Sequence, residues 1–192
     1  MQISSEGRDI EVHTTTNPLN SYIHNKTKNK NTMDYTVTET DLAGFLDKLN
    51  LQMPGNLSFL PENIEEADNI GDFIYPDTLT ELKKTLRLQQ VPVPTLEDIK
   101  PQLLGRKSSD LFLPSLFIGV GTILSNSNVV SVALNIVSSY VYDFFKGNPG
   151  RKTVAIDIFV EKQGDKTVKK ITYKGGPEGI KDLANVIKQL EK

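Results

Sequence analysis

From Leu111 to Tyr142 the chain runs LFLPSLFIGVGTILSNSNVVSVALNIVSSYVY, thirty-two residues without one Asp, Glu, Lys or Arg. Charged residues make up 24% of the whole chain, and a helix on the surface of an ordinary domain shows charge on its outer face every turn or so. A gap of this length is expected to be withdrawn from water, in a bilayer or in protein. Asp110 closes it on one side and Asp143 with Lys146 on the other.

Three placements compete for this block. A single span over residues 116 to 137 has about the 20 apolar residues a bilayer requires, but it puts the Ser125 to Asn128 turn signal near the bilayer centre. A hairpin of two arms avoids that, although an arm of 14 residues reaches only about 21 Å as a helix. The third placement is a helical hairpin sequestered in an oligomer or under a protein partner. Within Val129 to Phe145, a strong helix candidate, Asn128, Ser131, Asn135, Ser138 and Tyr142 recur at steps of three or four and draw a thin polar, uncharged stripe. Associating membrane helices and water-lined pores use such stripes. Ser131, Asn135, Ser138 and Tyr142 are therefore the candidate membrane or oligomer interface. If the block spans, Lys146, Arg151 and Lys152 place the C-terminus in the cytoplasm.

Charge is unevenly spread on either side. Residues 1 to 110 hold 11 basic and 17 acidic side chains, net −6, whereas residues 146 to 192 hold 11 basic and 6 acidic, net +5. The asymmetry suggests two surfaces with different partners.

The N-terminal 105 residues read as an acidic α+β region. Ile10 and Val12 alternate against Glu11 and His13 as in a strand, and residues 14 to 33, rich in Thr, Asn and Lys, read as a mobile loop. Tyr35 and Val37 begin a second strand. Thr40 is the expected N-cap of a helix from Asp41 to Leu49, and Thr78 with Glu81 forms a capping box for a helix to about Gln89. Thr95 with Asp98 opens a short helix toward Gly105. Residues 106 to 147 are the apolar helical segment, a hairpin or one long helix.

Residues 148 to 192 form a basic ββα module. Strands from Thr153 to Val160 and from Thr167 to Lys174 flank a KQGDK turn, and Pro177 opens a helix whose Ile180, Leu183, Ile187 and Leu190 line one face. This module has too little core to stand alone, so it is expected to pair with the N-terminal strands or with another copy of itself. The fold class is α+β.

Chemical signatures are sparse. Cysteine is absent, which removes disulfides, thiolate chemistry and sulfur-based zinc sites. The two histidines, His13 and His24, lie in polar sequence and give a triad or metal site little support. Glu62, Glu65, Glu66, Asp68 and Asp72 lack the pattern of a calcium loop and read as a solvated acidic face. The KGGPEG turn at Lys174 to Gly179 lacks the Lys and Ser or Thr order of a phosphate-binding loop. Lys162, Lys166, Lys169, Lys170 and Lys174 crowd one hairpin and could meet an anionic surface, with lipid or an acidic protein preferred to nucleic acid because no aromatic residues interleave to stack bases. No cofactor, no metal and no enzymatic activity are expected. The start MQISSEGRDIEVH lacks a secretory pattern, which points to the cytoplasmic face of the cell membrane or to the cytoplasm.

From Leu116 on, an apolar helix ending in SSYVYDFFKG, a basic connector, the VAIDIFVEKQGDKTVKKITY hairpin, the GGPEG turn and a terminal helix resemble the small effector-associated proteins of prokaryotic conflict and defence systems. That resemblance implies a non-enzymatic, membrane-linked or scaffolding component working beside a separately encoded effector or sensor, with antiviral defence as its setting. The expected function is a membrane-associated accessory or effector protein that inserts or oligomerises through residues 111 to 145. The alternative is a protein-protein interaction subunit with the apolar hairpin covered by a partner.

Overall fold

The computed structural model describes residues 35–97, 100–125, 127–147, 152–162 and 167–190. The strand read at Ile10 to Val12, the loop at 14 to 33, His13, His24 and Lys166 lie outside these residues.

The largest correction concerns the charge-free block. Its first quarter is strand, not helix: β5 (Leu111–Phe112) and β6 (Ser115–Ile118) run beside β7 (Val154–Glu161). A fully buried strand reads as a continuous apolar run, so periodicity cannot tell it from a buried helix. Leu111 is opposite Val154 and Leu116 opposite Ile158, five residues on one side against four on the other. The extra residue falls at Pro114, which has no N–H for the ladder and splits the strand at a bulge. The remainder forms α3 (Val120–Ser125) and α4 (Ser127–Phe144).

The main sheet has the order β1-β8-β7-β6-β2, with β5 on β7 in line with β6. β1 is Tyr35–Thr40, β2 is Ser58–Leu60 and β8 is Val168–Gly175. β6 and β7 are parallel and joined through α3 and α4 as a crossover, and β7 and β8 form the expected hairpin. β1 pairs over its whole length with β8, from Tyr35 opposite Tyr173 to Thr40 opposite Val168, so the C-terminal hairpin gains its missing core from N-terminal strands, one of the two routes its size required. A second sheet joins β3 (Ile74–Pro76) and β4 (Gln102–Leu104) in parallel. β4 replaces the short helix read after Thr95; Thr95 itself bridges to Phe59.

One face of the sheet carries Val37, Ile156, Ile158, Val160, Ile171 and Tyr173, in register across three strands. Against it lies α5 (Gly179–Leu190), whose Ile180, Leu183 and Ile187 are wholly buried, with α4 packed beside α5. Gly179 sits so close to the Tyr173 ring that a Cβ there would come within 2.3 Å of the hydroxyl, and that hydroxyl donates to the Gly176 carbonyl, closing the GGPEG turn. Two capping expectations shift. Asp41 rather than Thr40 caps α1 (Leu42–Lys48), its Oδ1 accepting from the Gly44 N–H at 3.0 Å. Thr78 precedes α2 (Leu79–Leu88) but donates its hydroxyl to the Phe112 carbonyl at 2.7 Å, tying α2 to β5 instead of capping it.

Candidate interaction surfaces

No helix among the described residues is long and apolar enough to cross a membrane. This overturns the membrane-associated reading, the transmembrane helix and insertion through residues 111 to 145. The physical reason is division: strand, a six-residue helix and an 18-residue helix share the charge-free run. The longest piece is about 27 Å at 1.5 Å per residue, and one of its sides belongs to the protein's own core. Val130, Ala133, Leu134, Val137 and Val141 are buried there.

The other side of α4 is what remains. Asn128, Val132, Asn135, Ser139 and Tyr142 are exposed and Ser131 is half-buried, forming one arc of the helix without a charge from Asn128 to Tyr142. Of the expected interface residues, Ser131, Asn135 and Tyr142 lie on this arc. Ser138 does not: it is 0% exposed, and its hydroxyl finds no hydrogen-bond partner among the described residues. Sequence spacing put Ser138 in the stripe and missed Val132 and Ser139, because 138 and 139 both satisfy steps of three or four and burial alone separates them. Among the described residues eight large apolar side chains are exposed, and four of them, Leu124 (65%), Val132 (44%), Tyr142 (46%) and Phe144 (47%), belong to α3 and α4. Lys181 of α5 stands over the Tyr142 ring at 5.7 Å and Asp143 is exposed beside it, marking a charged rim at the C-terminal end. At the opposite margin Tyr140 lies 3.5 Å from Glu81 of α2, and burial together with that carboxylate pushes its phenol up to about 12.

The basic hairpin behaves differently. Lys169 pairs with Glu39 of β1, Lys170 with Glu65 at 3.1 Å and Asp157 at 3.6 Å, and Lys174 with Asp110 at 3.0 Å. Register separates them further, since Lys169 lies opposite Val160 on the helix-covered face, whereas Lys170 and Lys174 lie opposite Phe159 and Ala155 on the other. Lys162 is half-buried at the end of β7. Burial pulls the Lys170 ammonium down, but Asp157 and Glu65 together outweigh it and hold the group above its ordinary value. Lys170 also stands 5.3 Å from the Phe159 ring centre.

Beside this pair a cavity of about 260 Å³ is lined by Glu62, Arg106, Asp157, Thr172 and Lys174 among others. Its cations are taken up as well. Arg106 grips Glu62 through its two terminal nitrogens, Nη1 and Nη2, at 2.9 and 2.6 Å and lies 4.5 Å over the Phe112 ring, and the Glu62 carboxylate raises its already high pKa. Three members of the acidic group are thus in ion pairs, Glu62 with Arg106, Glu65 with Lys170 and Asp68 with Lys48. Lys48 holds the Asp68 carboxyl below its usual range. Glu39, Glu65 and Asp110 of the acidic N-terminal region pair with Lys169, Lys170 and Lys174 of the basic C-terminal region. Among the described residues no group of three His, Asp or Glu side chains could hold a metal ion.

No family model, no curated protein and no solved structure matches this chain.

Proposed function

We propose that the protein is a non-enzymatic interaction subunit that pairs with a second copy of itself through the outward face of α4. The observation that carries this reading is the run of exposed, uncharged positions on that helix. Its order supports a two-fold arrangement. Asn135 is at the centre, with Ser131 and Ser139 four residues away on either side and Asn128 and Tyr142 seven residues away. Two antiparallel copies would set Asn135 against Asn135, Ser131 against Ser139 and Asn128 against Tyr142. An amide both donates and accepts, so Asn135 complements its own image. The non-enzymatic part rests on the charged clusters, whose acids and bases engage one another.

The stripe is about 21 Å long and about 10 Å wide, roughly 200 Å² per copy against roughly 800 Å² per partner in a stable complex. Pairing is therefore weak and reversible, as suits a subunit whose assembly is completed by a separately encoded partner, the role that the defence-system resemblance implies. Sedimentation velocity over about a hundredfold range of concentration tests it. Wild type is expected to move from monomer toward dimer, and Asn135→Lys, which sets two like charges at the axis, is expected to stay monomeric. A wild type that sediments as a monomer throughout removes this reading.

A further inference from the structure

A second surface, independent of α4 pairing, lies between α2 and the proline segment that follows it. Here a groove of about 700 Å³ has the buried Leu79 and Val93 in its floor and Pro92, Pro94 and Pro101 in its walls. Along one rim α2 presents Lys83, Lys84 and Arg87. Among the described residues these three cations form no ion pair. Among the described residues Glu81 is the one acid lining the groove.

The walls are set before anything binds. The Pro94 carbonyl accepts from the Phe59 N–H at 2.7 Å and from the Ser58 hydroxyl at 3.3 Å, and the Leu96 N–H donates to the Phe59 carbonyl at 2.9 Å, so the proline segment is held along β2. On the other side the Val91 N–H donates to the Leu86 carbonyl at 3.0 Å, fixing the exit from α2. A preformed groove loses little entropy on binding. Prolines lack N–H donors, so these walls offer apolar area and no sequence of backbone donors for a phosphate.

We infer that this groove takes an acidic, leucine-bearing segment of a partner protein, its apolar side chains seated between Leu79, Val93 and the prolines and its carboxylates along Lys83, Lys84 and Arg87. The sign of the rim selects an acidic occupant, and the apolar floor selects one with hydrophobic anchors. Nucleic acid is disfavoured because, among the described residues, no aromatic side chain lines the groove to stack a base.

Fluorescence anisotropy with the full chain tests this. The probes are a labelled ten-residue peptide alternating Glu with Leu, the same peptide with Gln for Glu, the same with Lys for Glu, and labelled oligothymidylate. Wild type is expected to bind the Glu peptide at least tenfold tighter than the Gln peptide and to lose that preference as salt rises. The triple variant Lys83→Glu, Lys84→Glu, Arg87→Glu changes exposed or half-buried positions only, so it should melt as wild type does while its preference inverts toward the Lys peptide. The single variant Arg87→Glu, with a smaller loss, serves if the triple variant is unstable. Equal affinity for the Glu and Gln peptides, tighter binding of oligothymidylate than of the Glu peptide, or charge reversal without effect on the Glu peptide would each overturn the inference.

Discussion

The outward face of α4 and the polar face of the β7–β8 hairpin suggest opposite things in sequence and exchange roles in the fold. The first is devoid of charge and stands open to water; the second is crowded with lysines, and three of its four described ones are matched from within. The difference teaches that ionised side chains report on surfaces only after their partners are known. Lys170, held between Glu65 and Asp157, is part of the fastening between the N-terminal region and the sheet, while Asn135, bearing no charge, stands in the open.

The contrast can be broken most forcefully at α4 itself. Leu134, wholly buried, and Val132, 44% exposed, are two residues apart on opposite sides. Leu134→Ala is expected to lower stability by about 3 kcal/mol and the melting temperature by roughly 6–12 °C, and Val132→Ala to stay within about 0.5 kcal/mol of wild type. Equal effects in thermal melts would mean that the helix does not divide core from surface as described.

Next in size is the hairpin. Lys170→Met leaves Glu65 and Asp157 facing each other without a cation and should cost roughly 1–2 kcal/mol by urea unfolding. The sign of the pH dependence follows from the raised Lys170 pKa. Stability from a group whose folded pKa is raised is fully present below its unfolded value, about 10.4, and is lost as pH rises through the folded value. The gap between wild type and Lys170→Met should therefore close in the alkaline range above about pH 10.5, and a gap that stays constant to pH 12 would contradict the pairing.

A smaller effect of opposite sign is expected at Ser138. Its hydroxyl is buried without a partner among the described residues, so Ser138→Ala should raise stability by about 1 kcal/mol. A loss of stability on that change would reveal a hydrogen bond that the buried hydroxyl does make.

Much of the architecture was legible. The β-branched run from Thr153 to Val160 with the turn after it marked the hairpin, the spacing of Ile180, Leu183 and Ile187 marked α5, and the hairpin's thin core called for N-terminal strands or a second copy, of which β1 is the one that pairs. The block from Leu111 to Ile118 was misread because a strand covered on both faces loses its alternation. Thr95 was misread as a helix start because its side-chain chemistry fits a cap equally well, while its backbone is claimed by Phe59. The internal partners of the lysines were not legible because their carboxylates lie up to 130 positions away, as between Glu39 and Lys169, and spacing within the hairpin says nothing about register with β1. The groove beside α2 left only a trace, three basic residues shortly before VPVP, since the proline segment is held in place by β2, more than thirty positions earlier in the chain.

Because the natural chain has no cysteine, a single thiol can report on the α4 arrangement without background. Asn135→Cys under mild oxidation should give a disulfide-linked dimer on a non-reducing gel, through a residue that meets its own image, while Leu88→Cys, 69% exposed but far along the chain from α4, should remain a monomer. Efficient cross-linking at 135 alone is the result that pairing through α4 predicts; equal cross-linking at both positions, or none at 135, would contradict it.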